Sequence, residues 1–214
     1  LLRVGAGKVL NHVKRFGFDT SSFPRNTQLA IGGGTMTVAP LDMAKAYAVL
    51  ANGGYLVEPQ IIDRIVNQNG QVVFANKSPK VCRNCPAEEE PAANTAASRR
   101  QSLAADPTDW LMDNNSLEDL VESIGQTATQ AKYAPRVLDE RNAFIMQSML
   151  RDVVKRGTGR RALVLKRNDL AGKTGTTNDA ADTWFNGFNS SLVASVWVGF
   201  SGQDPLGSNA YGSN

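Results

Sequence analysis

The chain has 214 residues, of which 42% are hydrophobic and 20% charged, and a formal net charge of +3. These proportions are those of a globular domain with one substantial core, and they exclude wholesale disorder. The charge is too small, and too dispersed along the sequence, to argue for nucleic acid or an anionic membrane as partner, and no apolar run approaches the length that spans a bilayer.

Leu1-Leu2-Arg3 has no initiator methionine and lacks the apolar core of a signal peptide, so a partial piece of a longer protein is expected, with neither export signal nor anchor of its own. Val4 to Phe16 reads as a helix with Val9, Val13 and Phe16 on one face, Lys14 and Arg15 in the last turn and Gly17 ending it. His12, the single histidine, has no acidic or cysteine partner at ligand spacing and is expected on the surface of that helix. Gly32-Gly-Gly-Thr-Met-Thr37 lacks the Gly-Lys-Ser/Thr ending of a phosphate loop. It leads instead into a helix at Leu41 to Ala51, opened by Pro40 and closed by Gly53-Gly54, with Met43, Tyr47 and Leu50 as its core row. Tyr55 to Val57, Ile61 to Val66 and Gln71 to Phe74 read as extended, the last two joined through Asn67-Gln-Asn-Gly70 as a hairpin.

Cys82 and Cys85 are the only cysteines; a metal site of this spacing needs two further ligands that are not nearby, so no metal is expected. Residues 86–132 change composition sharply and read as a low-complexity insertion between 1–85 and 133–214. Within it, Leu117, Leu120, Val121 and Ile124 follow Ser116 at helical spacing. Arg141 to Lys155 predicts a long helix with adjacent rows Ile145, Met149, Val153 and Met146, Leu150, Val154, a stripe broad enough to be buried against a sheet. Gly157-Thr-Gly159 then turns toward the following strand.

From Leu170 to Phe200, three runs rich in Thr, Val, Trp and Phe alternate with Asn/Asp/Ser clusters, which predicts an antiparallel meander. Its first strand carries Lys173-Thr174-Gly175-Thr176. Two readings of these residues stand side by side: a polar edge strand whose lysine prevents aggregation, or a strand that pairs with an extended peptide while the ammonium and hydroxyls meet an anion.

Lys-Thr-Gly is one of three signature elements of the serine β-lactamase and penicillin-binding protein superfamily, beside Ser-x-x-Lys and Ser-x-Asn. With Asp182-Thr-Trp-Phe185, Gly187-Phe188, Val196-Trp-Val-Gly199, Thr37-Val-Ala-Pro-Leu-Asp-Met-Ala-Lys-Ala-Tyr47, Ala51-Asn-Gly-Gly-Tyr55 and Arg156-Gly-Thr-Gly159 in the same order, the chain resembles the C-terminal part of the transpeptidase domain of class A penicillin-binding proteins. The resemblance implies an α+β fold, an antiparallel sheet flanked by helices with the Lys-Thr-Gly strand beside the cleft. It implies a D,D-transpeptidase that cross-links peptidoglycan stem peptides through a serine acyl-enzyme and is trapped by β-lactams. Lys173 would keep a positive field at the cleft, Thr174 and Thr176 hydroxyls would bind the donor carboxylate, Gly175 would let the donor lie against the strand, and the Thr176 N–H would be one oxyanion donor. No cofactor is implied for this step. The family's glycosyltransferase domain, its possible divalent metal and its inner-membrane anchor would lie upstream, with this domain in the periplasm, where a local Cys82–Cys85 disulfide is implied.

No serine here is followed three residues later by lysine, and no serine or tyrosine two residues later by asparagine. The nucleophile is therefore expected upstream, and this stretch alone is expected to be inactive and to fold poorly. A serine β-lactamase or D,D-carboxypeptidase, and a non-catalytic binding module on the same fold, are the alternatives.

Overall fold

The computed structural model describes residues 3–32, 36–83, 133–202 and 204–213. Apart from Cys82 and Arg83 these belong to one unit built from residues 1–81 and 132–214. The Ser116 helix and the rest of 86–132 lie outside the described residues. Cys82 is disulfide-bonded; Cys85 also lies outside the described residues.

Helix α1 spans Ala6–Lys14. Its inward residue is Leu10, with Val9 and Val13 half-buried beside it against Phe23 and Leu29. Phe16, expected in the same row, lies past the helix end and packs instead on Val49, Leu138 and Ala143. Gly17, at φ 92, ends the helix by donating its N–H to the Lys14 carbonyl at 3.0 Å. His12 is exposed and meets Phe16 edge-on.

Helix α2 spans Pro40–Ala51, with proline in its first turn and Asp42 accepting from the Ala39 N–H at 3.3 Å. Burial centres on Ala46 and Val49, while the expected row Met43, Tyr47 and Leu50 is half-buried. The reason is that the helix has two partners: Val49 faces Leu138 and Ala143, Tyr47 faces the sheet, and Leu50 packs on both. The turn after it needs glycine. Gly54, at φ 109, donates to Val49 O and accepts from Val137 and Leu138 N–H, and a Cβ there would collide with the Leu138 carbonyl.

Strands β1 (Arg64–Val66) and β2 (Val72–Ala75) form the expected antiparallel hairpin, with Gly70 at φ 77 and Asn67 Oδ1 accepting from the Asn69 and Gln71 N–H groups. Every residue of both strands is exposed. Tyr55 to Val57, read as extended, contributes only an isolated bridge from Tyr55 to Arg136.

Helix α3 spans Glu140–Arg156, with Asp139 Oδ1 accepting from the Arg141 N–H at its start and Lys155 and Arg156 in its last turn. The expected double-width stripe is not all buried. Ala143, Leu150 and Val154 turn inward, but Ile145 and Met149 are 54% and 57% exposed. A helix meets a sheet along one stripe, and Ile145 and Met149 point away from it.

Strands β3 (Ala171–Thr176), β4 (Asp182–Phe188) and β5 (Val193–Gly199) make the expected antiparallel meander in the order β3-β4-β5. One end of its helix-facing side is closed by Ala171 and Phe188 against Leu150, Tyr47 and Leu50. The fold is thus α+β, with an antiparallel sheet and helices against it. Among the described residues no helix is long and apolar enough to cross a membrane.

Two outcomes follow. Gly54→Ala adds a steric clash to left-handed strain, whereas Gly53→Ala, with nothing near its Cβ, meets the strain alone. Thermal unfolding should show Gly54→Ala as clearly the worse variant, by about 1–3 kcal/mol. Burial pushes the Tyr47 phenol up to about 12. The folded state then holds its proton where the unfolded chain has lost it, so stability falls as pH rises from about 10 to 12, by about 3 kcal/mol. Tyr47→Phe should flatten that fall in denaturant titrations.

Candidate functional site

Strand β3 owes its properties to period-two alternation. Residue 177, the next position after β3, donates its N–H to Asp182 O at 3.0 Å. Ladder bonds in an antiparallel pair recur at every second residue, so Ala171, Lys173 and Gly175 bond to β4 while the N–H and C=O of Thr174 and Thr176 point the other way. On that side no strand is paired among the described residues. The edge therefore offers backbone donors and acceptors to an extended ligand.

The side chains divide with the same period. Lys173 shares a face with Asn186 and Ser195, and Gly175 with Trp184 and Trp197; Thr174 and Thr176 share the opposite face with Phe185, Thr183, Val196 and Val198. Lys173 is exposed, and its ammonium curls to the unpaired edge, where Nζ donates to the Thr174 carbonyl at 2.7 Å. The structure thus brings the ammonium to the same edge as the Thr176 N–H, while both threonine hydroxyls lie on the far face.

Three of the four expected residues, Thr174, Gly175 and Thr176, have a neighbour that explains part of their identity. A Cβ on Gly175 would come to 3.2 Å from Trp184 Cβ, so that glycine makes room for tryptophan. Trp184 in turn packs on Trp197 with centroids 6.3 Å apart, and Trp197 Nε1 donates to Asp182 Oδ1 at 2.8 Å. Gly199 leaves space for that pair. The Asp182-Thr-Trp and Trp197-Val-Gly strings are therefore cross-strand packing. Thr176 Oγ1 accepts from the Gly212 N–H at 3.0 Å, and Gly212 lies so close over Gly175 and Trp184 that a Cβ would strike their carbonyls. Thr174 Oγ1 lies 2.6 Å from Thr158 Oγ1.

Thr158 and Gly212 thus join the four residues that the sequence points to. The signal for Thr158 was present in its flanking glycines; nothing local marks Gly212. On the hydroxyl-bearing face a cavity of about 410 Å³ is lined by Thr174, Phe185, Val196, Val198, Leu165 and Tyr211 among others. Lys173 does not line it.

The charge is less even than the whole-chain value implies. Residues 151–173 hold Arg151, Lys155, Arg156, Arg160, Arg161, Lys166, Arg167 and Lys173 against Asp152 and Asp169, eight cations to two anions. Arg156 pairs with Asp152 and Arg167 with Asp169, each at 2.6 Å. The hydrogen bond from Arg167 holds the Asp169 carboxyl below the usual carboxylate range, and the same bond raises Arg167. Arg167 is exposed and Asp169 half-buried. Among the described residues no group of three or more His, Cys, Asp or Glu is placed to hold a metal ion.

An antiparallel meander packed against helices, with a Lys-Thr-Gly-Thr strand at its unpaired edge, fits the α+β fold that the transpeptidase resemblance implies. The sequence model of the Penicillin binding protein transpeptidase domain matches residues 2–106 and 112–205. Penicillin-binding protein 1A of Pseudomonas aeruginosa is 44% identical over 209 residues, 98% of this chain and 25% of that protein. Penicillin-binding protein 1A of Neisseria meningitidis is 35% identical, over 99% of this chain and 20% of that protein. The crystal structure of penicillin-binding protein 1A from Haemophilus influenzae superposes with a TM-score of 0.70 at 29% identity, covering 98% of this chain and 29% of that one. The chain belongs to the penicillin-binding protein transpeptidase family, as sequence of its class A kind. It spans a quarter or less of the length of the two curated relatives.

Gly175→Ala is expected to displace Trp184, because the added methyl falls inside ordinary contact distance. The checks are a change in near-ultraviolet circular dichroism and a melting temperature lower by a few degrees, about 1–2 kcal/mol; an unchanged tryptophan signal would contradict the packing described.

Proposed function

We propose that the full-length protein containing this chain is a peptidoglycan D,D-transpeptidase, and that Lys173, Thr174, Gly175 and Thr176 form the wall of its acyl-donor site. The observation that carries this reading is the unpaired β3 edge, where a lysine ammonium and outward backbone donors stand together in a chain of this family.

The chemistry has two halves. A serine hydroxyl, supplied by polypeptide upstream of this chain with the Ser-x-x-Lys and Ser-x-Asn elements, attacks the carbonyl of the penultimate residue of a D-Ala-D-Ala stem. The C–N bond breaks, the terminal D-alanine leaves with a proton on its nitrogen, and an ester remains. A neighbouring stem amine then attacks the ester, forming the cross-link amide and returning the proton to serine. In a β-lactam the leaving nitrogen stays tethered in the same molecule, and the ester persists.

Lys173 supplies positive potential beside the donor carboxylate, and the Thr174 and Thr176 hydroxyls donate to it. The outward Thr176 N–H serves as one oxyanion donor; such a donor is worth about 10²–10³-fold in rate. Gly175 keeps the strand flat where the donor lies along it. The scheme uses only groups of the polypeptide. The same proposal places this domain in the periplasm, held by an upstream inner-membrane anchor and accompanied by a glycosyltransferase domain.

Labelled penicillin tests it. The full-length protein should take up label covalently, Lys173→Ala should slow acylation by about 10²–10³-fold, and the 214-residue chain alone should take up none. Label on the isolated chain would refute the placement of the nucleophile, and undiminished labelling of Lys173→Ala would refute the role of the ammonium. With a stem pentapeptide and an amine acceptor, cross-linked product distinguishes a transpeptidase from a carboxypeptidase or β-lactamase, which would give hydrolysis alone.

A further inference from the structure

Two glycines and a threonine separate α3 from the Arg160–Leu165 turn, and the structure accounts for all three. The N–H groups of Gly157 and Gly159 both donate to one acceptor, the Val153 carbonyl, at 3.1 and 3.0 Å. A Cβ on Gly157 would lie 2.8 Å from Val153 Cα, and one on Gly159 3.3 Å from Val153 O. The turn is therefore wrapped onto the end of α3, which fixes the backbone of the residue between the glycines. That residue is Thr158, whose hydroxyl oxygen lies 2.6 Å from that of Thr174.

We propose that Thr158 is a positioning residue for the donor carboxylate: its hydroxyl donates to Thr174 Oγ1 and so aims the Thr174 proton at the ligand. A threonine hydroxyl has one proton and two acceptor lone pairs. Once Thr174 accepts from Thr158, its own proton is free for a carboxylate oxygen, and its χ1 is held on a side chain with few rotamers to choose from. Without Thr158 the Thr174 hydroxyl turns to water or to the strand backbone and must be reoriented when the ligand arrives. Thr176 is held in a parallel way, since it accepts the Gly212 N–H and keeps its proton to donate. The inference rests on the reading that Thr174 receives the carboxylate.

The test is the second-order rate of acylation by labelled penicillin in the full-length protein, for Thr158→Val, Thr158→Ser, Thr174→Val and the double variant Thr158→Val/Thr174→Val. Thr158→Val should lose about three- to tenfold, the worth of one neutral hydrogen bond, and Thr158→Ser should restore the wild-type rate. Thr174→Val should lose about tenfold or more, as befits a bond to a charged group, and in its background Thr158→Val should cost nothing further. If Thr174→Val acylates normally, the carboxylate reading falls and this inference with it. If Thr174→Val is impaired but Thr158→Val is not, or is impaired equally in both backgrounds, only the positioning role is overturned. Thr158→Ala supplies the same comparison where the valine variant fails to fold.

Discussion

The arrangement of this protein's chemistry depends on one strand having a neighbour on a single side. Because β3 pairs only with β4 among the described residues, alternate peptide groups are committed to the ladder and the intervening ones are not. The same alternation sends Lys173 to one face and the two threonines to the other. These groups can meet only around the unpaired edge, which is where the lysine ammonium is found. A second strand on that side would consume the outward N–H of Thr176 and cover the ammonium.

What holds that edge in place is mostly apolar packing at the opposite end of the strand. Ala171 and Phe188 are sealed by Leu150 of α3 and by Tyr47 and Leu50 of α2, and Gln147 of α3 donates to the Leu50 carbonyl at 2.6 Å. The strand is thus anchored at its start and open at its finish. Trp184, Trp197 and Asp182 brace the open half from the middle of the sheet, so Gly175 is needed as much for the tryptophan as for any ligand.

Features with local causes were legible in the sequence. The meander and the β1–β2 hairpin follow from turn residues that bond their own backbone, such as Asn67 and Asn189, and helix ends follow from Gly17, Pro40 and the basic last turn of α3. The motif that marks the family lies in one short run. Features with distant causes were not legible. The inward row of α2 shifted because two different partners press on it, and half of the α3 stripe stayed outside because helix periodicity does not say how wide the partner is. The Thr158–Thr174 contact spans 16 positions, and the Gly212–Thr176 bond spans 36. The glycines flanking Thr158 mark a tight turn but not the partner it meets, and nothing local marks Gly212; both contacts arise only from the three-dimensional course of the backbone.

The basic run between α3 and β3 has an effect that reaches past any single contact. Residues 151–173 carry a formal charge of +6, eight cations less two anions, so the remaining residues must sum to −3 to give the whole-chain +3. The polypeptide is therefore electrically lopsided in sequence, with its excess of cations immediately preceding the strand that bears Lys173. Such a lopsided field draws carboxylate-bearing molecules inward before they touch anything, and its reach shrinks with the Debye length, from about 30 Å in dilute buffer to about 8 Å in physiological salt. In the proposed role, capture of an anionic ligand at this strand would accordingly be a process whose speed is set by ionic strength, even where its final grip is set by hydrogen bonds.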